Sequence, residues 1–133
     1  MVRVSVHVNE PELNAQVGAY AYRRMARLQR RIATQARQDS PVRTGHLGQS
    51  VSEGTIAMVG PRTAHGSVKA TARYALYVHE GTRPHTIRPR TAQALRFEVG
   101  GRVVFAKVVR HPGTKARPFL RNAGLRIAAQ EAG

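Results

Sequence analysis

Residues 9–41 read NEPELNAQVGAYAYRRMARLQRRIATQARQDSP, a stretch that carries the signals of one long helix. Asn9 can cap a helix, Pro11 suits the first turn, and Glu12 stands three residues after the cap, which makes a capping box. Apolar residues then recur at spacings of three and four, as on one face of an α-helix. They are Leu13, Val17, Ala21, Met25, Leu28, Ile32 and Ala36. With the stop signal DSP at residues 39–41, the pattern predicts one long helix over about residues 10–38.

Strand patterns lie on both sides of this helix. VRVSVHV alternates valine with polar residues, which predicts an N-terminal strand over residues 2–8. After a turn-rich joint, PVRTGHLGQSV, two strand patterns (VSEGTIAMVG and GSVKATARY) flank a polar link. ALRFEVGGRVVFAKVV predicts a hairpin whose turn is Gly100-Gly101, because glycine adopts the left-handed conformations that such turns need.

Two further helices complete the order of elements. YALYVHE predicts a short middle helix ending at Gly81, and Pro118 opens a C-terminal helix over about residues 118–131. We therefore expect a single domain over residues 1–133 of the α+β class. Its antiparallel β-sheet would span about residues 50–109, with the long N-terminal helix packed on one face.

Composition restricts the class of protein. The chain has 133 residues and no cysteine, which excludes disulfides and thiolate metal sites and suits a reducing cytoplasm. No run approaches about 18 apolar residues, so no segment that spans a membrane is expected. The net charge of +15 calls for a negative partner, which could be nucleic acid, an acidic protein surface or a membrane face.

The histidines and acids offer no catalytic pattern. His79, His85 and His111 stand at no metal-ligand spacing, and Asp39 is the one aspartate in the sequence. Paired-carboxylate chemistry is therefore nearly excluded, and no serine lies in a nucleophile elbow. We expect no enzyme activity, no metal and no cofactor, with histidines that hydrogen-bond within turns.

The long helix carries a basic face with no acid between Glu12 and Asp39. No stacking aromatics interleave with the arginines, so contact with phosphate or an acidic partner is indicated rather than reading of bases. A solvated surface is the alternative, although such surfaces usually mix both charges. The face consists of Arg23, Arg24, Arg27, Arg30, Arg31 and Arg37.

Two proline-stiffened segments, EGTRPHTIRPR and HPGTKARPF, combine rigid backbone with long donor side chains. We expect stiff arms that dock on another protein, since little order would be lost on binding. HEGTR at residues 79–83 also echoes HPGTK at residues 111–115, which indicates two similar turns with Gly81 and Gly113 at positive φ. The candidate docking residues are Arg83, His85, Arg88, Arg90, His111, Lys115 and Arg117.

Three motifs carry a family resemblance. SPVRTGHLGQSV, YALYVHEGTRPHTIRP and ALRFEVGGRVVFAKVVRHPGTKARPFL, following a long helix, resemble the tail-completion and head-tail joining family of tailed bacteriophages, whose members are often called minor tail or neck proteins. The similarity covers nearly all of residues 9–123.

The resemblance implies a structural virion protein that is assembled in the host bacterial cytoplasm and needs no cofactor. It would form a homo-oligomeric ring at the neck, usually sixfold, joining the tail tube to the connector on the head. Its partners would be other copies of itself, neighbouring neck and tail-tube proteins, and packaged DNA touched without sequence preference, with no membrane partner. The alternative from charge alone is a stand-alone basic nucleic-acid-binding protein.

Overall fold

The computed structural model describes residues 2–41 and 45–132. The chain divides into two compact units, Met1–Ala75 with Phe119–Gly133 and, between them, Leu76–Pro118. The single domain expected over residues 1–133 stays a prediction, because such a division does not decide whether the units fold together. Part of the predicted joint, residues 42–44, lies outside the described residues.

The first unit is organised by helix α1, Glu10–Asp39, which confirms the long N-terminal helix. Asn9 caps it, since its side chain accepts a hydrogen bond of 3.2 Å from the backbone N–H of Glu12. Ser40 closes the other end by donating its hydroxyl to the carbonyl of Arg37. Local capping signals therefore fix both ends of the helix where the sequence predicts them.

One irregular antiparallel hairpin packs beside α1. After the short helix α2, its strands pair as β1 with β4 and β2 with β3. The bounds are α2 His46–Gln49, β1 Val51–Glu53, β2 Ala57–Met58, β3 Ala64–His65 and β4 Val68–Ala70. Where the pairing is interrupted, the buried Gln29 amide of α1 donates to the carbonyls of Gly54 at 3.0 Å and Ser67 at 2.8 Å. A helix side chain therefore stabilises the break in the hairpin.

The second unit consists of two β-ribbons that follow helix α3, whose first residue belongs to the first unit. β5 pairs with β8 and β6 pairs with β7, both antiparallel. The bounds are α3 Ala75–Glu80, β5 His85–Ile87, β6 Leu95–Val99, β7 Arg102–Ala106 and β8 Val109–His111. The turn of the second ribbon has Gly100 at φ 56° and Gly101 at φ 80°, which confirms the predicted hairpin.

The core lies in the first unit, where helix α4, Phe119–Ala132, packs against α1. Within the described residues, every buried apolar side chain belongs to this unit, and most are small. They are Ala33, Ala36, Leu47, Val51, Ala72, Ala75, Phe119, Ala123 and Ile127. Small residues allow the two helices to approach closely.

The α+β class with small antiparallel sheets is confirmed, but two details differ. The strand predicted at residues 2–8 is wrong, because within the described residues this segment pairs with no other strand and Val2, Val4 and Val6 are exposed. The single sheet over about residues 50–109 is replaced by separate two-stranded ladders among the described strands. Prolines such as Pro61 and Pro89 lack the N–H that a continuous ladder needs.

No helix in the described part of the chain combines the length and apolar character needed to cross a membrane.

Candidate functional site: a docking ribbon and a basic helix face

The two segments predicted to be separate arms form one structure, which we call the docking ribbon. It comprises β5, β8, the turns at residues 81–84 and 112–117, and residues 88–90, which follow β5. Its register sets His85 opposite His111, Thr86 opposite Arg110 and Ile87 opposite Val109. The predicted arms are therefore corrected to a paired ribbon, since each segment supplies the backbone partners that the other needs.

The echo between HEGTR and HPGTK has a structural meaning, because the two turns bind each other. Thr82 N–H donates to the Thr114 carbonyl at 3.0 Å, and Thr114 N–H donates to the Thr82 carbonyl at 3.0 Å. Gly81 and Gly113 have φ of 75° and 85°, as predicted. A Cβ on Gly81 would lie 2.6 Å from the Thr114 oxygen, and one on Gly113 would lie 2.4 Å from the Thr82 oxygen. The two glycines therefore allow a close and nearly reciprocal approach of the backbones.

Two stacked histidines lie beside these turns. The rings of His85 and His111 have centroids 4.9 Å apart and planes 28° apart. His85 Nδ1 lies 2.8 Å from the Arg83 carbonyl, to which it can donate, whereas His111 Nδ1 accepts from the Gly113 N–H at 3.0 Å. Both imidazoles are thus engaged within their own turns. Among the residues described, no cluster of three histidine, cysteine, aspartate or glutamate side chains could hold a metal ion.

The docking ribbon exposes a set of cations. None of them forms an ion pair with an acid in the described ranges 2–41 and 45–132. Arg110 is not among the docking residues predicted from the sequence. Side chains alternate along β8, so Arg110 lies on the face opposite His111. The exposed cations are Arg83, Arg88, Arg90, Arg110, Lys115 and Arg117.

The second unit has no core of its own. None of residues 76–118, all of which are described, is buried. The β6–β7 hairpin instead exposes Val99, Val103 and Phe105, at 56%, 47% and 65%. An isolated two-stranded ribbon is marginal in water, so the apolar side chains that this hairpin exposes are suited to being covered by another surface.

The basic face predicted on α1 is divided by the structure. Arg24 pairs with Glu131 of α4 at 3.5 Å, and Arg31 pairs with the same carboxylate. Arg37 donates to the Val51 carbonyl at 2.9 Å. These three arginines therefore make contacts within the first unit. Glu131 is missed by sequence reasoning because it lies in a different helix, about 100 residues away along the chain.

The remaining three arginines form what we call the arginine row. Arg23, Arg27 and Arg30 lie on one face of α1 at helical spacing, and all three are exposed. In the part of the chain that the structure describes, no acidic side chain pairs with their guanidinium groups. Three cations about one turn apart on a rigid helix are suited to oxygen-rich anionic surfaces.

A scan against protein-family models and searches of curated proteins and of solved structures found no match to this chain.

Proposed function

We propose that the chain is a structural virion protein of the phage neck, a head-tail connector or tail-completion component that forms a ring joining the tail tube to the head connector. The family resemblance of three ordered motifs supports this proposal. The observation that carries it is the second unit, in which none of residues 76–118 is buried and the docking ribbon exposes its cations without an acid partner among the described residues. Such a unit suits a surface whose side chains become buried only when copies or neighbouring proteins assemble on it.

The docking ribbon is organised before it binds. The reciprocal bonds between Thr82 and Thr114 fix its turns, and prolines restrict the chain beside them. A surface ordered in advance loses little conformational entropy on association, so more of the contact energy remains for binding. Exposed arginines at such a surface would gain charge-assisted hydrogen bonds to acidic neighbours.

The arginine row has a separate role in this proposal. A ring at the neck surrounds the path of the genome, whose phosphates attract cations without regard to sequence. Arg23, Arg27 and Arg30 would face that path or an acidic neighbouring protein. Because Arg24 and Arg31 bind Glu131, the arginine row is narrow, and a narrow row of cations is suited to contact along the phosphate backbone of DNA.

A stand-alone basic nucleic-acid-binding protein is the second candidate, and the arginine row is the observation that favours it. This second candidate predicts a monomer that binds duplex DNA with an affinity that falls steeply as salt rises. The neck protein is expected to form a ring whose assembly depends on the docking ribbon rather than on DNA.

Light scattering with duplex titration separates the two candidates. We compare the wild type with Arg83, Arg88 and Arg90 changed to serine. The matched control loses three exposed cations from the first unit, and has Lys69, Arg73 and Arg126 changed to serine. The neck proposal expects rings from the wild type and the control, and monomers from the ribbon variant. A wild type that is monomeric and binds duplex DNA would favour the second candidate.

A further inference from the structure

The N-terminal segment, residues 2–8, has the side-chain pattern of a strand but no partner strand. Val2, Val4 and Val6 are 89%, 86% and 85% exposed, and no ladder includes them in the described residues. Arg3, Ser5 and His7 fill the alternate positions. A segment with strict period-two alternation presents one apolar and one polar face as soon as its backbone is paired. The exposed valines therefore fit a segment that pairs with an edge strand.

An edge of matching character lies in the second unit. β6 pairs with β7 on one side only, so its other edge has no strand on it within the described residues. LRFEV in β6 alternates apolar and polar residues in the same way as the N-terminal segment. A third strand on this edge would convert a marginal two-stranded ribbon into a three-stranded sheet.

The register of β6 and β7 shows which face the valines would extend. Leu95 lies opposite Ala106 and Phe97 opposite Val104, so these four side chains share one face of the hairpin. The residues between them in β6 belong to the other face. A strand added with its valines beside Leu95 and Phe97 would continue the apolar face and keep the polar residues together.

Charge selects the register of the added strand. An antiparallel alignment with Val4 opposite Phe97 places Arg3 opposite Glu98 and Ser5 opposite Arg96. A shift by two residues instead places His7 opposite Arg96. A parallel alignment with Val2 at Leu95 places Arg3 opposite Arg96, and like charges directly opposite are destabilising. A parallel alignment with Val2 at Phe97 pairs Arg3 with Glu98 but leaves only Val2, Arg3 and Val4 beside β6, which ends at Val99.

We infer that residues 2–8 of one copy add to the β6 edge of a neighbouring copy as an antiparallel third strand, with Val4 opposite Phe97 and Arg3 opposite Glu98. The inference rests on the proposed ring. Every copy then carries one donor strand and one acceptor edge, and this head-to-tail contact closes into a ring when the rotation between copies allows it.

Disulfide trapping tests the contact, and the absence of cysteine makes each introduced thiol unique. A ¹⁵N-labelled chain with Ser5→Cys is mixed with an unlabelled chain carrying Arg96→Cys and oxidised mildly. Linked peptides from the two chains are then measured by mass spectrometry. The matched control acceptor is Lys69→Cys, at an exposed cationic position on β4 outside the docking ribbon. We expect the disulfide between positions 5 and 96 in yield at least about tenfold above the control, because a disulfide needs Cα atoms within about 7 Å.

A charge exchange tests the register. Arg3→Glu alone and Glu98→Arg alone should each weaken association about threefold, in line with the modest energy of a cross-strand ion pair, and the double variant should restore it. Deleting residues 2–8 should abolish the ring while the far-ultraviolet circular dichroism of the folded chain remains.

The outcomes separate this inference from the proposed function. A ring that persists after deletion of residues 2–8, or that gives no disulfide between positions 5 and 96 above the control, overturns the strand addition and leaves the ring proposal standing. A disulfide formed within one chain that carries both substitutions, with none between chains, also overturns it. A chain that is monomeric at every concentration and gives no disulfide overturns both.

Discussion

Thr82 and Thr114 lie opposite each other in two turns that are 32 residues apart in sequence, and each donates its backbone N–H to the other's carbonyl at 3.0 Å. The Thr82 hydroxyl adds a bond of 3.1 Å to the Thr114 hydroxyl. This pair joins the two proline-rich segments into one docking ribbon. The cations that the ribbon exposes are therefore held on an ordered backbone, although none of residues 76–118 is buried.

Alanine at Gly81 should open the docking ribbon. The substitution forces a side chain into the left-handed region, which costs about 1–2 kcal/mol, and places a Cβ 2.6 Å from the Thr114 oxygen. Hydrogen exchange at the Thr82 and Thr114 amides should accelerate by more than about tenfold, since about 1.4 kcal/mol is tenfold. Gly100→Ala is the control, because Gly100 has φ of 56° but no atom within 4 Å of an added Cβ. Equal acceleration at these amides in both variants would contradict the importance of the close approach.

Leucine at Gln29 should destabilise the first unit. Its buried amide donates to the Gly54 and Ser67 carbonyls, and the loss leaves a carbonyl without its partner at a cost of about 1–3 kcal/mol. Urea unfolding measures the difference. Gln38→Leu, at an exposed position of the same helix, should change the free energy of unfolding by less than about 0.5 kcal/mol. A similar effect of both variants would show that the hairpin does not depend on this amide.

Glutamine at Arg23, Arg27 and Arg30 should weaken contact with duplex DNA. The affinity falls as salt rises, and each lost phosphate contact makes the slope of log K against log salt shallower by about 0.9. The three substitutions together should therefore make it shallower by up to about 2.7. Glu131→Gln is the opposite test, because it releases Arg24 and Arg31 from their shared carboxylate and should steepen the slope. Its effect on stability should stay within about 1 kcal/mol, as the pair is partly exposed. An unchanged slope in the triple variant would exclude the arginine row from DNA contact.

Single alanine substitutions at His85 and His111 should leave the fold intact. Their rings stack on each other and bond to turn backbone, but neither is buried. Circular dichroism should be unchanged, and elemental analysis of the purified wild type should find no stoichiometric zinc. One tightly held metal ion per chain would contradict this assignment of the histidines to turn structure.

Local signals are sufficient to predict much of the fold. Asn9, Glu12 and the 3–4 spacing of apolar residues predict α1, and Gly100-Gly101 predicts the β6–β7 turn, because each signal acts within a few residues. The predicted N-terminal strand is wrong because a strand depends on a partner that local signals do not specify. Alternating valines predict a strand only if an edge is available to pair with them, and the sequence pattern does not identify that edge.

The candidate site could be predicted only in part. The exposed arginines of the docking ribbon follow from composition, and Gly81 and Gly113 have the positive φ that the repeated HxGT pattern predicts. The two turns bind each other through a contact between residues 32 positions apart, and no local sequence signal predicts such a contact. The same holds for Glu131, whose pairing with Arg24 and Arg31 narrows the basic face of α1.

Electron microscopy of particles made with Arg83, Arg88 and Arg90 changed to serine tests the docking role most directly. The neck proposal assigns this chain to a phage, and the particles come from that phage with its own copy of the gene silenced and complemented by the variant or by the wild type. The proposed neck role predicts filled heads and separate tails with the variant, although the purified variant chain is folded. Intact, infectious particles at the wild-type yield would contradict it.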